Sequence, residues 1–114
     1  MAETAELAIV RRKGPATVID MPAHIDITSE ATLDTAYSEI GPSGSVLLNF
    51  SGTEYINSSG IALIVGILAR ARKDHRTIAA YGLSEHYREI FEVTRLVDFM
   101  GVFPDEQAAI TGKR

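Results

Sequence analysis

Two kinds of apolar pattern alternate along this chain: short continuous runs, and stretches where apolar residues recur every three or four positions. Leu7-Ala8-Ile9-Val10 and Ala16-Thr17-Val18-Ile19-Asp20-Met21 are β-branched runs parted by Gly14-Pro15, which predicts two strands joined as a hairpin, with Pro22 weakening continuation of the second. Asp26-Ile27-Thr28-Ser29-Glu30 reads as a loop entering a helix, with Thr28 or Ser29 as its cap and Glu30 in the first turn. Leu33, Ala36, Tyr37 and Ile40 then fall at i, i+3, i+4 and i+7, one buried stripe, and Gly41-Pro42-Ser43-Gly44 ends the helix. Ser45 to Phe50 is apolar nearly throughout, as in a strand covered on both faces. A helix follows from about Ser59 to Asp74; its first half is apolar all round, so deep burial is expected there, and Arg70, Arg72, Lys73 and His75 form a solvated basic end. Thr77 to Tyr81 is another covered strand closed by Gly82, and Ser84 caps a helix with the stripe Tyr87, Ile90, Phe91 and Thr94. Phe99 to Phe103 forms a short last strand, Pro104-Asp105-Glu106 opens a final helix through Ile110, and Thr111 to Arg114 frays.

The predicted order is β-β-α-β-α-β-α-(β)-α, an α/β domain whose mixed β-sheet carries an N-terminal hairpin and four helices. A length of 114 residues suits one domain over 1–114, and 46% hydrophobic with 23% charged residues places it among globular chains. The net charge of −4 disfavours nucleic acid or an anionic membrane as the main partner. Without cysteine there is no disulfide, thiolate nucleophile or zinc–thiolate site. The acidic start, Met1 to Glu6, lacks the features of a signal peptide, and the longest apolar run, Ile61 to Ala69, is far short of the ~20 residues of a membrane span, so a cytoplasmic chain with no membrane insertion is expected.

Candidate chemistry concentrates where the Ser45–Phe50 strand gives way to the next helix, at Tyr55-Ile56-Asn57-Ser58-Ser59-Gly60-Ile61. The first turn of a helix has amides with no partner inside the helix, and the dipole is positive there. Ser58 would therefore sit where negative charge is welcome, and a phosphate on it would add about −1.5 to −2 charges without unfolding the domain. Asn-Ser-Ser-Gly is equally an ordinary turn and N-cap. Asp26, just after the second strand, falls at the same edge if the strands pair as predicted. It is either a loop aspartate at a helix start or an acidic group that orients the serine for a kinase, through Mg²⁺.

Other chemistries fail on pattern. A serine hydrolase elbow needs Gly-x-Ser-x-Gly, but Ile56 and Asn57 occupy the leading positions for Ser58 and Ser59, and the base that could serve them, His24, reads as a lone loop histidine. His75 and His86 share no metal spacing, and neither a phosphate loop nor a dinucleotide fingerprint occurs, so no metal or cofactor is expected and the chain is not read as an enzyme.

Four features together resemble a STAS domain of the bacterial anti-sigma factor antagonist family: Ile56-Asn57-Ser58-Ser59-Gly60-Ile61 between a buried strand and a buried helix; Ile25-Asp26 followed by Thr28 and Leu33; Tyr87-Arg88-Glu89-Ile90-Phe91 running to Leu96 and Phe99; and the ending Asp105-Glu106-Gln107-Ala108. The match spans about residues 7 to 110. The resemblance implies a STAS-like fold and a switch. The unphosphorylated protein binds an anti-sigma factor that is also an ATP-dependent serine kinase, freeing the sigma factor; phosphorylation of Ser58 ends binding; a PP2C-type phosphatase restores it. His24, Asp26, Thr28, Asn57, Ser59 and Gly60 would form the surroundings of the phosphorylated serine and the partner surface. Asn57 stands where the family usually has aspartate, removing one negative charge beside Ser58, and Ala23-His24 stands where Gly-Glu is common. A scaffold or transporter-accessory role without a switch is the alternative implied by the same family, and a weak homodimer is compatible with either.

Overall fold

The computed structural model describes residues 7–41 and 44–112. The acidic start, Pro42-Ser43 of the glycine-proline turn and the last two residues of the expected frayed end lie outside the described residues. The elements are β1 (Ile9–Lys13), β2 (Ala16–Asp20), β3 (His24–Ile25), α1 (Glu30–Ser38), β4 (Ser45–Asn49), β5 (Tyr55–Ile56), α2 (Ser58–Lys73), β6 (Thr77–Tyr81), α3 (Glu85–Val93), β7 (Gly101–Phe103) and α4 (Glu106–Thr111), with 3-10 turns at Ile27–Ser29 and Leu96–Asp98.

Five strands form one sheet in the order β1-β2-β4-β6-β7. β1 runs antiparallel to β2 in the expected hairpin, and the other neighbours are parallel. Strand alternation gives each face its own core. Ile19, Val46, Leu48, Ile78 and Ala80 point to one face, where Leu33, Ala36 and Tyr37 of α1, Ile64, Ile67, Leu68 and Ala71 of α2, and Tyr87 and Phe91 of α3 cover them. Val18, Leu47, Ala79 and Tyr81 point to the other face and pack with Ala109 of α4. This is the mixed sheet with an N-terminal hairpin and four helices that the pattern predicts. The addition is a separate two-stranded parallel ladder of β3 and β5.

Three expectations are corrected. The first half of α2 is not buried all round: Val65 is 45% exposed, and Ala62 and Gly66 also face solvent. Thr94 is exposed at the end of α3, its hydroxyl donating back to Ile90 O at 2.7 Å, a local bond that satisfies the group without burial. The basic end of α2 is only partly free: the Arg70 guanidinium lies 4.3 Å from the Tyr37 ring centroid and donates to Asp34 Oδ1 at 2.5 Å, whereas Arg72 and Lys73 are exposed.

On the α4 face, one polar cluster ties the last helix to the sheet. Arg11 donates to both carboxylate oxygens of Asp20 (2.8 and 3.1 Å), to Tyr81 Oη (3.2 Å) and to Glu106 Oε1 (2.7 Å); Tyr81 Oη donates to the same Glu106 oxygen at 2.5 Å. Asn49 Nδ2 donates to Asp20 Oδ1 at 2.7 Å. Burial pushes the Asp20 carboxyl up, but the bonds from Arg11 and Asn49 outweigh it and leave it below its ordinary value. Burial and the bond to Glu106 push the Tyr81 hydroxyl up. The bonds from Arg11 and then Tyr81 hold Glu106 at about 2, against 4.5 for a free side chain. A carboxyl depressed in the fold contributes fully above its unfolded value and loses that contribution as pH falls through the folded one, here between about pH 4.5 and about pH 2. Glu106→Gln is therefore expected to cost about 1–2 kcal/mol at neutral pH, with solvent screening allowed for. Urea midpoints of variant and wild type should converge as pH falls through that window; a gap of constant size across it would show that the Glu106 charge does not hold α4.

Candidate functional site

The site is built by two strand exits that lie side by side. After β4, Phe50 continues the ladder by donating its amide to Tyr81 O at 2.9 Å, and its ring meets Phe91 edge-on with centroids 5.7 Å apart. The chain then crosses to the end of β2: Thr53 Oγ1 donates to Pro22 O at 2.8 Å, and the amides of Glu54 and Tyr55 donate to Ala23 O at 2.7 and 3.1 Å. Parallel pairing of His24 with Tyr55 and Ile25 with Ile56 follows, and Asn57 donates its amide to Ile25 O at 3.2 Å.

Each short strand ends in a residue that caps what comes next. Asp26 follows β3 and caps the 3-10 turn: its Oδ1 accepts from the Thr28 amide at 2.9 Å and from the Thr28 hydroxyl, while Ser29 Oγ accepts from the Asp26 amide at 3.1 Å and donates to His24 O at 3.2 Å. The hydroxyl and amide of Thr28, with His24 nearby, hold the Asp26 carboxyl below its usual range. Asp26 caps the 3-10 turn because extended backbone there aims its carboxylate at the following amides; Ser29 takes the N-cap position of α1, as one of the two expected residues, but its hydroxyl serves the Asp26 amide instead of the α1 amides. Asn57 follows β5 and caps α2, its Oδ1 accepting from the Gly60 amide at 2.9 Å. With Asn57 as cap, α2 begins at Ser58, one residue before the expected start.

Ser58 is the first residue of α2 and is exposed. Its hydroxyl is not the cap, so the helix start does not depend on it. Ser59 is half-buried and Gly60 is buried. Gly60 has a steric reason to be glycine: an added Cβ would lie 2.1 Å from Ile25 O and 2.8 Å from Ile25 C. This close approach brings the start of α2 against β3, and the parallel pairing leaves Asp26 and Asn57, the residue before Ser58, at adjacent strand exits. Thr28 is exposed beside Asp26, with Ile27 61% and Tyr55 50% exposed around the same exits.

His24 is corrected from loop to strand: it sits in β3 with Nε2 3.8 Å from Glu54 Oε1. His75 lies in the turn after α2 with positive φ and His86 lies on α3, so the three histidines sit in separate parts of the chain. Among the described residues no group of three or more His, Asp or Glu side chains could hold a metal ion. The pattern did not reveal Tyr87 as a site residue. It reads only as part of a buried stripe, yet its Oη accepts from the Ile56 amide at 2.9 Å in the segment that presents Ser58. The available signal was the residue type, since a buried tyrosine generally has a partner for its hydroxyl.

Comparison with known proteins places this geometry among relatives. A family model described as Mlab, STAS domain, matches residues 9–102. The anti-sigma-B factor antagonist of Staphylococcus aureus (strain NCTC 8325 / PS 47) is 23% identical over 86 residues, covering 74% of this chain and 80% of that protein. Among solved structures, the anti-sigma-factor antagonist (STAS) domain protein of Planctomyces limnophilus superposes with a TM-score of 0.80 at 24% identity, covering 96% of this chain and 98% of the other. The Bacillus cell fate determinant SpoIIAA in its phosphorylated form superposes with a TM-score of 0.64 at 18% identity, covering 93% and 99%.

Proposed function

The chain belongs to the STAS domain family, and from that premise we propose that it is an anti-sigma factor antagonist switched by phosphorylation of Ser58. In the unphosphorylated state the edge carrying Ile27, Thr28, Tyr55 and Ser58 docks an anti-sigma factor with an ATPase-type fold, which then releases its sigma factor. The same partner, acting as a serine kinase, places a phosphate on Ser58 and ends the interaction; a PP2C-type phosphatase reverses it. The chain supplies an acceptor and a surface and no catalysis of its own. Among the described residues no helix is long and apolar enough to cross a membrane; the proposed setting is the cytoplasm.

One observation carries this reading: Ser58 is exposed at the start of a sixteen-residue helix whose cap is already provided by Asn57. The hydroxyl is available for transfer, and its product, a dianion, sits at the positive end of the dipole. Distant relationship to an anti-sigma-B factor antagonist, and the existence of a similarly folded protein in phosphorylated form, support the choice of partner and of modification. Asp26 and Asn57 have structural work as caps, and in the proposal they also hold the flanking surface. Incubation with the cognate kinase and ATP, followed by intact-mass and peptide analysis, should show one phosphate, on Ser58, and none on Ser58→Ala. Stoichiometric phosphate on Ser58→Ala would overturn the assignment.

A further inference from the structure

The β3–β5 ladder uses the amides of Tyr55 and Asn57 toward β3, so strand alternation turns the Ile56 amide to the opposite side. There it meets the Tyr87 hydroxyl of α3 at 2.9 Å, in a buried hydrogen bond. Tyr87 is 8% exposed, its own amide is held by Ser84 Oγ at 3.2 Å, and the His86 ring packs against it with centroids 4.8 Å apart. One turn further, Phe91 packs on Phe50, so α3 grips both ends of the segment leading to the site. A phenylalanine at 87 would fill nearly the same space; the hydroxyl adds only the bond to Ile56, two residues before Ser58.

We propose that Tyr87 is a positioning residue for Ser58: by satisfying the Ile56 amide from α3, it fixes the end of β5 and so the direction in which α2 presents its first hydroxyl. This rests on the Ser58 reading for its functional half, and its structural half is separately measurable. Without the phenol, the Ile56 amide is a buried donor with no partner, and the ladder keeps its bonds on one side only. Transfer to a positioned hydroxyl is sensitive to such loosening even when docking is not.

The test is Tyr87→Phe, made in wild type and in a Gly66→Ala background; an added Cβ at Gly66, mid-way along α2, meets nothing within 4 Å, so that change offsets any general loss of stability without touching the site. Amide hydrogen exchange should accelerate at Ile56 and Asn57 by about tenfold or more beyond any change at Val18 and Leu47 in the central strands. Phosphorylation of Ser58 by the cognate kinase should lose kcat by about tenfold while KM stays within about twofold. Exchange that rises equally at all four amides would overturn the proposal, as would local acceleration with unchanged kcat, which would make Tyr87 structural only. A wild-type chain that takes no phosphate would instead sink the Ser58 reading, before any variant is compared, and the positioning role with it.

Discussion

Gly60→Ala should destabilise the protein by about 2–3 kcal/mol, although alanine is the better helix former. The expected gain from helix propensity is about 1 kcal/mol. Against it stands a methyl group built 2.1 Å from the Ile25 carbonyl oxygen and 3.0 Å from Ile56 Cγ2. The first obstacle is backbone, which cannot swing aside like a side chain. Either the start of α2 lifts off β3 or the β3 carbonyl tilts away from the Asn57 amide it accepts, and overpacking of this kind typically costs about 1–3 kcal/mol on its own, before any bond is lost. Out of a typical total of about 5–15 kcal/mol the loss is easily read in urea unfolding. Gly66→Ala in the same helix is the matched control: its Cβ meets nothing within 4 Å, so only the propensity term remains and stability should rise by about 0.5–1 kcal/mol. If both variants move stability in the same upward direction, the tight seating of α2 on β3 is not real. Because this seating holds the start of α2, which carries Ser58, against β3, Gly60→Ala should also weaken partner binding more than its loss of stability accounts for.

Ser58→Asp should leave the fold intact and weaken binding of the proposed anti-sigma partner by about a hundredfold or more, with Ser58→Ala close to wild type. The two halves have different origins. An acidic residue in the first turn of a helix is favourable by about 0.3–1 kcal/mol, so thermal stability should hold or rise slightly. At a docked surface the same charge meets a partner rather than water. A carboxylate roughly 4 Å away repels it by about 4 kcal/mol at an effective dielectric near 20, and about 2.7 kcal/mol already corresponds to a hundredfold. Calorimetric titration at low and high salt separates this from a steric effect, because added salt should recover part of the affinity lost by the aspartate variant. Wild-type affinity in Ser58→Asp would remove the basis for a charge-operated switch.

Much of the architecture could be read from the pattern because its strongest signals are unambiguous. β4 and β6 are continuous apolar runs bounded by glycine, the α1 stripe of Leu33, Ala36 and Tyr37 is buried as spaced, and Gly14-Pro15 marks the hairpin. The site itself was legible in composition and not in construction. A ladder of two-residue strands has too few positions to show any period, so β3 and β5 look like loop. At the entry to α1 the pattern offers Thr28 and Ser29, yet it is Asp26, with extended backbone, whose side chain bonds the following amides, and among Asn57, Ser58 and Ser59 extended backbone likewise selects Asn57. The exposed side of α2 escapes the pattern because Ala62, Gly66 and Ala69 count as apolar yet carry little area, so leaving them in water costs little. The Tyr87–Ile56 bond spans 31 positions, a distance at which local pattern carries no information.

The β3–β5 pair is not part of the five-stranded sheet. It is nevertheless anchored in the main core: Ile25 and Ile56 are buried in the same cluster as Ile19 and Leu48, so opening the pair would expose apolar surface as well as break backbone bonds. The end of the molecule that carries Ser58 is thus held by side-chain burial more than by strand length, and a kinase acting as proposed above must reach that hydroxyl where it stands rather than pull the segment out of the fold.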